Sequence, residues 1–183
     1  MLISRKKKEE NIAEYVLYMW QLEDLIRSLN MDAEPLIDLL VDQQDLDLEL
    51  KEEMRVWYRK LVQQMKDEGL VEKGHLSEVL EVLSELEMLH QTMLGILNHA
   101  PYIAEHEKVK DILEEARKKM DELQGGEVEC GLLIMYGVLT LRLKKQTINK
   151  ETEVASGNIA SWLGLLAGHF IKMKSGDWNV GMS

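Results

Sequence analysis

Apolar residues recur along this chain three or four positions apart, and nowhere do they alternate between turn residues as a strand requires. The clearest case is Leu46, Leu50, Met54, Trp57, Leu61 and Met65, which line one face of a helix ending at Gly69. Such stripes must bury themselves against one another, so the expected fold is an all-α, single-domain helical bundle. Composition agrees. The 183 residues include eleven methionines but only two prolines and one phenylalanine, a mix that favours helix over sheet.

Six long helices and one short one are expected. The first runs from Ser4 to Leu29, with Asn30 as a left-handed terminator, and the short one from Pro35 to Gln43, proline suiting a first turn. The 46–69 helix follows. After Gly74 a fourth carries Leu76, Leu80, Leu83, Leu86, Leu94 and Leu97, and Pro101 opens a fifth that ends at Gly125 and Gly126. The sixth, Glu127 to Gln146, contains "GLLIMYGVLTL" (131–141), which is apolar on every side. That run is shorter than the roughly 18 residues needed to cross a bilayer, so the expectation is a buried central helix near 127–146. The seventh spans Lys150 to Lys174. The domain is thus 1–174, with 175–183 a flexible tail carrying Trp178.

Charge narrows the function classes. Twenty-two basic against 33 acidic residues leave a net charge of -11, which argues against nucleic acid as a partner. The one basic run, Arg5 to Lys8, is followed at once by Glu9 and Glu10 and reads as a solvated helix start. A lone cysteine, Cys130, suits a reducing compartment, and no apolar signal segment follows the basic cluster. The expected location is the cytoplasm, with no membrane partner.

Chemistry has few candidates. On the first helix Ile12, Tyr15, Val16, Met19, Leu22, Ile26 and Leu29 share a face that also contains Glu23 and Arg27. Four apart with the acid first, these two can pair, and Arg142 offers a second cation. They form either a buried ion pair that fixes helix register or a polar pocket in which Glu23 acts as base or ligand. His90 sits centrally in the leucine stripe of the fourth helix, one turn after Glu87. Glu-x-x-His is the spacing of di-iron bundles, yet the second match, Glu72-x-x-His75, lies about 22 Å away at 1.5 Å per residue on one helix, so the two cannot share a site. A satisfied core histidine is the plainer reading. His75, His99, His106 and His169 show no recognised metal or nucleophile spacing. Cys130 is either activated by a helix dipole or simply small and buried beside Gly131. No catalytic motif is present; no metal or cofactor is expected.

Three stretches carry a resemblance. "NIAEYVLYMWQLEDLIR" (11–27), "VEKGHL" (71–76) and "YGVLTLRLKKQTI" (136–148) together resemble an uncharacterised family of small bacterial helical proteins, a domain of unknown function. The resemblance implies an all-helical cytoplasmic bundle; it carries over no activity, ligand or catalytic residue.

Two functions are therefore carried forward. The first is a non-catalytic protein acting through self-association, a dimer included, or a protein partner, with Trp57, Tyr58, Trp162 and Trp178 as interface anchors. The second is an enzyme, or a small-ligand or metal-binding bundle, whose polar pocket brings Glu23, Arg27, His90 and Arg142 together.

Overall fold

The structure, a computed structural model, describes residues 2–120 and 125–176, and within these it is all-helical. Helix α1 (Leu2–Glu10) and α2 (Ile12–Ser28) replace the single helix expected over 4–29. The break is chemical. Asn11 leaves helical geometry, and its side-chain oxygen accepts the backbone N–H groups of Ala13 (3.1 Å) and Glu14 (3.2 Å), capping α2. Asn30 does end α2 in the left-handed region at φ 55°. The short helix α3 (Ala33–Ile37) runs straight into one π-helical turn, Asp38–Asp42. Helix α4 (Leu48–Asp67) starts on Asp47, whose carboxylate accepts the Leu50 N–H at 2.8 Å.

Helix α5 (Ser77–Leu94) stops three residues before Leu97, at Gly95. The expected fifth helix divides at Lys108 and Val109 into α6 (Ala100–Glu107) and α7 (Lys110–Lys119). Tyr102 and His106 on α6 and Leu113 on α7 are all buried, so the break gives each segment its own inward face. Helix α8 (Glu127–Leu143) and α9 (Lys150–Ser175) complete the bundle. Gly176 caps α9 at φ 77°; most of the expected tail, with Trp178, lies outside the described residues.

The central position belongs to α9 rather than α8. Helix α9 packs against α2, α5, α6 and α8, and buries Ile159, Trp162, Leu163, Leu166, Ala167 and Phe170. Among the described residues it is also the helix long and apolar enough to cross a membrane, at mean hydropathy 1.2; its apolar face is spent on these contacts. The first half of α8 is the more deeply placed, and among the described residues of its second half Val138 is the buried one. Val128, Cys130, Gly131 and Leu132 are buried, whereas Gly137 is exposed and Leu143 is 68% exposed. All-round hydrophobicity records composition, not the number of neighbours. At Gly131 close approach requires glycine. A β-carbon there would lie 2.8 Å from Trp162 Cζ3, so its absence is what lets α8 pack tightly on α9.

Candidate functional site

Four helices aim polar side chains at one point in this core. On α5 His90 continues the buried stripe of Leu83, Leu86 and Met93 and is itself fully buried. Tyr102 and His106 stand four apart on α6, hence on one face, both buried. Glu127 is the first residue of α8, held there because the Glu87 carboxylate accepts the Val128 N–H at 3.1 Å. Trp162 comes from α9.

The contacts form a chain. Trp162 Nε1–H donates to Tyr102 Oη at 2.9 Å, and Tyr102 Oη lies 2.7 Å from His90 Nδ1. His90 Nε2 is 3.2 Å, and His106 Nε2 2.6 Å, from the same Glu127 oxygen, Oε2. One proton arrangement satisfies every link. Tyr102 donates to His90 Nδ1, so His90 is neutral with its proton on Nε2, and both histidines donate to Glu127. Burial pushes the His90 imidazolium pKa down against the opposing pull of Glu87 and Glu127. Burial also pushes the Glu127 carboxyl up, but the hydrogen bonds and charges of His106 and His90 outweigh it and hold Glu127 below its usual range. Burial raises the Tyr102 phenol, which stays a proton donor. Neutral imidazole and ionised carboxylate are the forms that bind metal ions. The donor atoms of His90, His106 and Glu127 all lie within 4.8 Å of one another.

A family model described as a domain of unknown function (DUF4924) matches residues 1–177. The chain belongs to that family. No curated protein and no solved structure matches it.

In this DUF4924 chain the residues singled out from sequence fall in three separate places. Glu23 is fully buried, but its partner is not Arg27. Its Oε2 lies 2.6 Å from His75 Nδ1, and its Oε1 accepts the Leu76 N–H at 2.9 Å. Arg27 reaches past it, donating to the carbonyls of Leu70 (3.1 Å) and Gly74 and to Asp24 at 2.9 Å. Glu23 and Arg27 thus both pin the 70–76 segment onto α2, while Trp20 stacks on His75 at 4.8 Å. His90 belongs to the cluster above. Arg142 is exposed near the end of α8. The four do not meet in one pocket, because the α2 wheel gives direction but not which neighbour lies opposite.

The aromatic anchors separate as well. Trp162 and Tyr58 are buried at 0% and 3% exposure, and Trp57 is half-buried with its ring edge-on to Tyr58 at 4.9 Å. Cys130 is buried, and burial pushes its thiol pKa up, so the helix start does not activate it. Sequence reasoning missed His106, Tyr102 and Glu127. The i, i+4 pair Tyr102 and His106 was a legible signal; their meeting with a carboxylate 21 residues beyond His106 was not.

Proposed function

We propose that this protein binds a divalent transition-metal ion through His90, His106 and Glu127. The observation that carries this is the convergence of two imidazole Nε2 atoms on one carboxylate oxygen. Two histidines and one carboxylate are the donor set of facial-triad sites that leave positions open for water or substrate. Their donor atoms all lie within 4.8 Å of one another, so a small inward shift of the side chains would place them around one ion bound at about 2.0–2.2 Å. Tyr102 and Trp162 supply the outer support that orients a ligating histidine, and Glu87 adds a second negative charge nearby. Metal binding takes precedence over self-association through the aromatic residues, since two of the four anchors are buried in the bundle's own core. The three resembling motifs and the single buried thiol support a bacterial, cytoplasmic setting.

Titration with Co2+, followed by ligand-field absorption, and native mass spectrometry with Zn2+ test this directly. One ion per chain is expected, with affinity falling by more than about 100-fold in both His106→Ala and Glu127→Ala, since even outer-shell losses cost 10- to 100-fold. Wild-type protein that takes up no ion, or variants that bind as tightly as wild type, would overturn it. Glu127→Gln keeps the shape of the side chain and guards against loss through misfolding.

A further inference from the structure

Two hollows meet on α2, built from residues that the histidine cluster does not use. The first lies between α2, the π-helical turn and α4, with a volume of about 560 Å3. Leu22 and Met54 are buried at its base, Leu25, Leu40 and Leu50 wall it, and among the described residues none that lines it is charged. The second lies between α2 and α8, about 460 Å3, and is of a different character: Lys7, Glu14 and Arg142 line it beside Met135 and Val138. Tyr18 and Gln21 line both, so the two share a wall.

The charges at the polar end are unequal in their commitments. Lys7 is paired with Glu14 at 2.8 Å. Arg142 is exposed, and its guanidinium makes no hydrogen bond or ion pair among the described residues. A hydrocarbon groove of ligand-binding size therefore adjoins one guanidinium without a counter-charge. We propose that the two adjacent hollows together bind a single-chain anionic amphiphile of the fatty-acid type, its hydrocarbon in the α2–α4 groove and its carboxylate reaching past Tyr18 and Gln21 to Arg142. Charge complementarity selects this occupant. A neutral chain would leave Arg142 unused, and an anionic bilayer is normally recognised by clusters of about four to eight basic residues, whereas this hollow is lined by Arg142 and by Lys7, already paired with Glu14, on a chain of net charge -11. The bulk of the affinity comes from burying the chain and the selectivity from the guanidinium. The site is independent of the proposed metal centre.

The test uses the full chain and the neutral fluorophore N-phenyl-1-naphthylamine as reporter of the groove. Monomeric dodecanoate is expected to displace it, and native mass spectrometry to show one dodecanoate per chain. Arg142→Ala should weaken dodecanoate about fivefold, the upper end for an exposed ion pair, and leave 1-dodecanol unchanged. Leu50→Trp and Leu46→Trp, filling the groove from two sides, should each abolish both. Failure of dodecanoate to bind would overturn the proposal. So would an Arg142→Ala variant that treats dodecanoate and dodecanol as wild type does, or binding that survives both tryptophan variants when circular dichroism shows them folded. Association with phosphatidylglycerol vesicles but not with dodecanoate would reassign the surface to a membrane.

Discussion

Among the described residues two clusters pair a carboxylate with histidine inside the bundle, and they are used differently. Glu23 has both oxygens engaged, one by His75 and one by the Leu76 backbone, and every partner lies in the single connection from α4 to α5. Glu127 has two histidines on one oxygen, and its partners come from α5 and α6 with further support from Tyr102 and Trp162. The first is a latch: each donor meets its own acceptor, and nothing is left to offer a ligand. The second crowds three donor atoms together, which is what a cation would exploit. Burial alone does not mark a functional carboxylate; how its partners are shared out does.

Removing each carboxylate is the sharpest way to break this contrast. Glu23→Ala leaves a half-buried imidazole and a buried backbone N–H without their acceptor, and should destabilise by about 3 kcal/mol in urea or guanidinium unfolding, while Co2+ affinity per folded molecule is unchanged. Glu127→Ala should reverse the pattern, losing metal affinity at a stability cost of about 1–2 kcal/mol, because its partially exposed carboxylate leaves a site that water can enter. If Glu23→Ala instead abolished metal uptake and Glu127→Ala did not, the roles assigned to the two clusters would be exchanged.

The packing beneath the second cluster offers a smaller effect. Gly131→Ala puts a methyl group 2.8 Å from Trp162 Cζ3, inside any normal contact distance. An expected loss of about 2 kcal/mol follows from overpacking, together with weaker Co2+ binding as Trp162 is pushed off Tyr102. Unfolding that matches wild type would mean that α8 and α9 can separate without cost.

How much of this was visible in the sequence differs between fold and site. The helix class and most helix ends followed from periodicity and from Gly69, Asn30 and Pro101, because those signals are local. The break at Asn11 was local too, an asparagine inside a long stripe, but hydrophobic spacing continued across it and masked the cap. The shallower placement of the second half of α8 was not visible, since an all-apolar run looks the same whether three neighbours or one cover it. The site required tertiary arrangement throughout. His106 and Glu127 stand on helices separated by α7, and Glu23 met His75 rather than Arg27 because the connection from α4 to α5 folds back over α2.

The smallest effect tests whether the outer support of His90 matters at all. Trp162→Phe keeps an aromatic ring in the core but takes away three heavy atoms and the one N–H that Tyr102 Oη accepts. In the absence of metal the loss is one buried hydrogen bond and the small cavity beside the phenyl ring, together about 1–2 kcal/mol, because Tyr102 still has His90 as its partner. With metal bound the demand on Tyr102 is different. A ligating His90 Nε2 gives up its proton, the neutral ring then carries its proton on Nδ1, and Tyr102 must accept where it previously donated. Trp162 donating to the same oxygen holds the phenol in place for that exchange. The variant should therefore lose about tenfold in Co2+ affinity, beyond its stability cost, with a shifted ligand-field spectrum. A spectrum and affinity equal to wild type would make Trp162 only a filler of the core and leave the metal site supported by Tyr102 alone.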